Sequence, residues 1–161
     1  VSAFELLDAA RSRLAGTPRE ALGELVVPKR FLGLARAPRV ERRGTAWHLG
    51  VLLLTEDEVL ATGDILRARQ EARRGYTAES QRQRAELAAA ARRGGFGEGE
   101  VVHLGWRMLD PAAIDRGEAS APLALLGGVP AVRWSAAGGL MPLETYLAER
   151  VELLRHPPAG A

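Results

Sequence analysis

The sequence predicts an α+β fold: a mainly antiparallel sheet of about five or six strands, a meander plus a hairpin, with helices at the N-terminus, in the middle and at the C-terminus. Three observations carry this. Residues 45–54 and 59–69 alternate with a period of two on either side of one acidic cluster. "LLGGVPAV" (125–132) sets a Gly-Gly pair between two apolar runs. Around residues 3–14, 78–93 and 142–154, capping residues or apolar residues at helical spacing mark helices. A chain of 161 residues fits one domain, expected over 1–154, with a flexible tail over 155–161.

In chain order, Ser2 and Glu5 form a capping box, and Phe4, Leu7, Ala10 and Leu14 recur at helical spacing until Gly16. Thr17-Pro18 reads as an N-cap with proline inside it, which predicts a short helix to about Leu25. The two prolines and two glycines of 26–44 predict a connection with a short strand near 39–43. Residues 45–54 are expected as one strand, apolar on both faces and therefore central. Glu56, Asp57 and Glu58 form the loop to a strand over 59–69, with Thr55 opposite Val59, Leu53 opposite Ala61 and Leu49 opposite Ile65. Residues 70–76 are a polar connection, Thr77 an N-cap, and Gly94 the stop of helix 78–93. A strand over 101–108 follows. Asp110 and Pro111 then open a one- or two-turn helix ended by Gly117. The hairpin over 121–135 turns at Gly127-Gly128, and Pro130 predicts an edge position for its second strand. Leu143, Leu147, Val151 and Leu154 mark the closing helix, with Tyr146 and Leu153 beside the stripe as a candidate homodimer contact.

Composition narrows the function. The absence of cysteine excludes disulfides, thiol catalysis and cysteine zinc sites. No apolar stretch approaches the roughly 18 residues of a membrane helix, and the opening run lacks the character of a secretory signal. A cytoplasmic protein with no membrane partner is expected. Charge is uneven: net −1 over 1–28, +6 over 29–93 and −3 over 94–161. Arginines 67, 69, 73, 74, 82, 84, 92 and 93 make the basic middle a candidate polyanion surface, with Arg67, Arg69, Arg73 and Arg74 as its contact residues. No aromatic platform beyond Tyr76 is interleaved with them, which argues against nucleic acid.

Chemistry-bearing residues are few. Glu56, Asp57 and Glu58 read as a solvated hairpin tip, because neighbouring side chains in a turn diverge rather than converge on a cation. The expected register instead places His48 and Asp64 diagonally on one sheet face, with Thr62 beside Asp64 and Gly50 opposite it. His103 lies on a third strand, alternating with Gly105 and Arg107. A carboxylate beside an imidazole sets its tautomer and moves its pKa, so His48, Asp64 and His103 are the candidate catalytic residues. Thr62, Gly50 and Arg107 are the candidate ligand contacts. "RRGGFGEGE" runs from helix to strand, the reverse of a phosphate-binding loop. The residues before Gly94 lack the paired glutamates of a Nudix-type pyrophosphohydrolase. Neither a metal set nor a cofactor motif is visible.

The runs "AWHLGVLLL", "ATGDILRA", "RRGGFGEGEVVHLGW" and "PLETYLAERVELL" resemble a group of small actinobacterial proteins of uncharacterised function, some carrying an automatic glutaminase label. The resemblance spans about Arg42 to Leu154 and brings no catalytic motif. Serine-dependent glutaminases use Ser-x-x-Lys, whereas Lys29 here has Val26 three residues before it. The leading expectation is a binding or interaction module. The alternatives are a small amidohydrolase-like enzyme using the His/Asp pair, and RNA or polyanion binding through the basic middle.

Overall fold

The computed structural model of the chain describes residues 1–69 and 78–160. The expected connection 70–76, the Thr77 cap, Arg73, Arg74 and Tyr76 lie outside the described residues. The elements are α1 (Ala3–Leu14), β1 (Glu20–Val26), β2 (Arg39–Leu49), β3 (Leu52–Leu54), β4 (Val59–Ala61), β5 (Asp64–Arg67) and α2 (Glu79–Arg93). They continue with β6 (Val101–Leu104), β7 (Arg107–Met108), α3 (Pro111–Asp115), β8 (Leu123–Leu126), β9 (Val129–Arg133), β10 (Leu140–Pro142) and α4 (Leu143–Arg155). None of the described helices is long and apolar enough to cross a membrane.

The chain divides into two compact units. The first comprises Val1–Arg19, Ala46–Thr62 and Arg107–Ala161, the second Glu20–Thr45 and Gly63–Trp106. Each has its own apolar core.

In the first unit, the end of β2 pairs with β3, β3 with β4 and β4 with β7, all antiparallel. A separate three-stranded sheet runs β10-β9-β8. The capping box at Ser2 forms as the spacing predicts, with Ser2 Oγ accepting from Glu5 N–H. The buried stripe of α1 is Ala3, Leu7, Ala10 and Leu14, and Phe4 is exposed. Phe4 shares helical spacing with Leu7, so sequence cannot choose between the two stripes. Ala3 N–H donates to Asp115 Oδ1 at 2.7 Å and anchors the helix on the Ala3 side. Leu143, Leu147 and Val151 of α4 join the same core, each contributing roughly 1.5–3 kcal/mol of burial for the larger side chains. Tyr146, read above as available to a dimer, is buried there too. Asp110 caps α3 through Ala113 N–H, and Gly127-Gly128 turn the β8–β9 hairpin, both as expected.

Three strand expectations of this unit are corrected. Residues 45–54 are not one strand, since Leu49 pairs with Leu52 and the chain reverses at Gly50-Val51. The acidic loop has four residues, because Leu54 rather than Thr55 faces Val59. Thr55 Oγ1 accepts from Glu58 N–H at 2.8 Å and from Asp57 N–H at 3.3 Å, which holds this loop closed. Pro130 lies on the middle strand, β9, not at an edge. Its missing N–H is tolerated because β10 pairs only with Ala131–Arg133, beyond the proline.

The second unit orders its strands β5-β6-β1-β2. Here β5 runs antiparallel and β1 parallel to β6, so the sheet is mixed rather than mainly antiparallel. The predicted helix over 18–25 is the strand β1. Gly23 explains why: a side chain there would meet Val40 Cγ1 at 2.5 Å and Val102 Cγ1 at 2.8 Å, so the neighbouring strands close over it. The expected strand over 59–69 is two strands on different ladders, and that over 101–108 is likewise β6 and β7. Helix α2 buries Ala88, Ala90 and Ala91, and Gly94 N–H closes its end on the Ala90 and Ala91 carbonyls. Gly94 itself is helical, and the left-handed residue is Gly95 at φ 95°. Arg42 stacks 4.3 Å over Phe96 and grips Glu100 with two nitrogens at 2.8 and 3.1 Å.

Two expectations follow. Tyr146 O–H donates to the Leu49 carbonyl and accepts from Val51 N–H, each at 2.8 Å. Tyr146→Phe leaves both backbone groups of the turn without this partner and is expected to cost about 1–3 kcal/mol in urea unfolding. The second concerns Glu100, whose carboxyl is held below the ordinary carboxylate range by the Arg42 guanidinium and then by Gly97 N–H. A carboxyl depressed on folding stabilises the folded state above its unfolded pKa, and that contribution disappears as pH falls through the depressed value. Glu100→Gln is therefore expected to be less stable than the wild type at neutral pH. The gap should close as the solution is acidified below the usual carboxylate range, measured as Tm against pH.

Candidate functional site

The residues singled out in the sequence lie on or beside several strands. His48, Gly50 and Thr62 come together at the β2–β3 reversal in the first unit. His48 is half-buried, pairs with Leu53 and has Nε2 2.9 Å from the Gly50 carbonyl. A carbonyl only accepts, so Nε2 carries the proton in this bond. Thr62 N–H donates to the Val51 carbonyl at 3.2 Å. His48 and Thr62 thus both bond backbone carbonyls of the Gly50-Val51 reversal.

Asp64 does not face Gly50. It is exposed and pairs with Leu104 on the β5–β6 ladder. His103 pairs with Ile65 on the same ladder. Successive residues of a strand point to opposite faces, so Asp64 and His103 project from opposite sides of the sheet. Arg107 is not on the strand of His103. It begins β7, where it pairs with Ala61, and its Nη2 donates to the Ala121 carbonyl at 2.8 Å.

The carboxylate partner of His103 is a residue that sequence reasoning missed. His103 is fully buried, and its Nε2 lies 3.1 Å from Glu20 Oε1, on a side chain that is one-third exposed. The parallel register sets Leu22 beside His103, and Glu20, two residues earlier, shares that face. The pair follows from reading 20–26 as a strand, which the Thr-Pro cap signal obscured. Chemically, it links a buried imidazole to a carboxylate that reaches solvent, and it fixes which ring nitrogen carries the proton.

Among the described residues, Arg67, Arg84, Arg92 and Arg93 of the candidate polyanion surface bond backbone carbonyls. Arg67 Nη1 approaches the Gly99 carbonyl at 3.4 Å, Arg84 Nη2 the Ile65 carbonyl at 3.4 Å and Arg93 Nε the Pro38 carbonyl at 2.8 Å. Arg92 bonds the Phe96 carbonyl at 2.6 Å and pairs with Glu98. Arg69 is exposed and donates its backbone N–H to Ala88.

The second unit also carries a feature that the sequence reading passed over as a connection. Between β1 and β2 the chain forms a hairpin tip closed by Phe31 N–H to the Leu34 carbonyl at 3.2 Å and Leu34 N–H to the Phe31 carbonyl at 3.0 Å. Its turn residues, Leu32 and Gly33, both lie in the left-handed region, at φ 52° and 74°. Val27, Phe31, Leu32 and Leu34 are 69, 60, 86 and 71% exposed. From Leu25 to Pro38 the only charged residues are Lys29, Arg30 and Arg36. Arg36 lies 5.2 Å from the centre of the Phe31 ring. The available signal was compositional: "VPKRFLGLARAP" mixes bulky apolar and basic residues where a solvent-facing connection would be polar.

The Glu20–His103 bond is testable apart from any activity. Glu20→Ala removes the acceptor at Nε2 of a buried ring and is expected to cost about 1–3 kcal/mol in urea unfolding. Combining it with His103→Leu should recover part of that loss, and strict additivity of the two changes would show that the pair is not coupled. No protein-family model, curated protein or solved structure matches this chain, and its functional features are therefore those that its own geometry supplies.

Proposed function

We propose that this chain is a binding module that docks on an anionic, partly apolar surface through the hairpin tip of residues 27–36. The observation that carries the reading is the exposure of Val27, Phe31, Leu32 and Leu34 around a turn whose flanking charges are all positive. Folding alone gives no reward for this arrangement. A leucine in the left-handed region costs about 1–2 kcal/mol relative to ordinary backbone, and glycine or asparagine would fill the position more easily. The same side chain, 86% exposed, returns no packing energy to its own unit. Covering each of these large side chains with a partner releases roughly 1.5–3 kcal/mol. Lys29, Arg30 and Arg36 supply charge complementarity and accelerate encounter with an anionic partner.

The test uses Phe31→Ser with Leu32→Asn, since asparagine tolerates the turn's backbone and keeps the hairpin. Wild type and variant are compared against two immobilised surfaces, a Leu/Glu-rich helical peptide and an anionic lipid bilayer. The expected result is binding to at least one surface, weakened tenfold or more in the variant, whose Tm is not lowered. Binding to neither, or full retention by the variant, would overturn the reading.

A further inference from the structure

Resting on that reading, we propose that the surface this hairpin meets is an anionic lipid bilayer. The tip has the layered order that interfacial insertion requires. Leu32 stands at the turn, and Phe31 and Leu34 pair directly behind it through two backbone hydrogen bonds. Lys29 and Arg30 follow on one arm and Arg36 on the other, with Pro28 and Pro38 outside them. Apolar side chains at the end of a hairpin enter the boundary between headgroups and acyl chains, and cations one or two residues behind remain at the phosphate level. Arg36, 5.2 Å from the Phe31 ring centre, keeps its charge beside the apolar group, as an arginine at an interface does when its stem lies along apolar surface.

Size favours a bilayer over a protein groove. A stable protein interface takes about 800 Å² and roughly 20–30 residues from each partner. The tip offers four large apolar side chains and three cations. Reversible attachment to a membrane needs only two modest signals, an apolar one and a basic one, and the tip holds both. Leu25 to Pro38 contains no acid, so no residue of this segment would be repelled by phosphatidylserine headgroups.

The experiment is co-sedimentation of the full chain with large vesicles of phosphatidylcholine, alone or with about one-third phosphatidylserine. Partitioning onto the anionic vesicles is expected to exceed that onto neutral ones by tenfold or more, and to fall as salt screens the cations. Phe31→Ser with Leu32→Asn should reduce it at least tenfold. Phe31→Leu with Leu34→Met should keep it within about threefold, because a bilayer demands apolar character and not shape. A Phe31→Trp reporter should show a blue-shifted emission on anionic vesicles only. The proposal is overturned if the wild type does not sediment with anionic vesicles. It is equally overturned if the Ser/Asn variant sediments unchanged, which is the signature of charge-only polyanion binding. Binding to neither the vesicles nor the acidic peptide refutes both readings. Peptide binding without vesicle binding refutes the bilayer and leaves the binding module standing.

Discussion

One buried hydroxyl organises the first unit. Tyr146 on α4 donates to the carbonyl of Leu49 and accepts from the N–H of Val51, and so holds both sides of the β2–β3 reversal. Gly50 makes that reversal accessible: its φ is 65°, and a side chain there would collide with the Tyr146 hydroxyl. With the chain reversed at Gly50-Val51 the ladder partners become Leu52 with Ala61 and Leu54 with Val59, a shift of one residue from the alternation-based register. The expected meeting of His48 and Asp64 assumed one strand over 45–54 and one over 59–69, and each of these is two strands, with His48 on β2 and Asp64 on β5.

In the second unit the comparable constraint is close approach. Gly23 lets β1 lie against Val40 and Val102, and the parallel pairing of β1 with β6 brings Leu22 beside His103 and Glu20 onto the same face. The buried imidazole thereby gains a carboxylate from a residue 83 positions away. Nearby, Arg42 combines stacking on Phe96 with a two-point bond to Glu100, while Arg67, Arg84, Arg92 and Arg93 bond backbone carbonyls. The hairpin tip differs because its cations accompany apolar side chains that its own fold leaves uncovered.

Much of the local architecture was legible. The Ser2–Glu5 box, the Asp110–Pro111 start, the Gly127-Gly128 turn and the stripe on α4 all depend on contacts within about four residues, which a single sequence displays. The acidic cluster at 56–58 was read rightly as a hairpin tip because Thr55 and the turn close within the same four residues. The candidate site was less legible. His103 was identified and its partner was not, since Glu20 sits in a segment whose cap signals point to a helix and whose neighbours in space enforce a strand.

The sequence by itself determined the α+β class, the starts of α1 and α3, and the Gly127-Gly128 turn, through capping, glycine conformation and short-range periodicity. Only the tertiary structure decided the mixed sheet, the strand registers, the Glu20–His103 pair and the exposure of Phe31, Leu32 and Leu34. Pairing and burial are set by residues far apart in the chain, and two apolar faces of one strand look alike until a partner covers one of them.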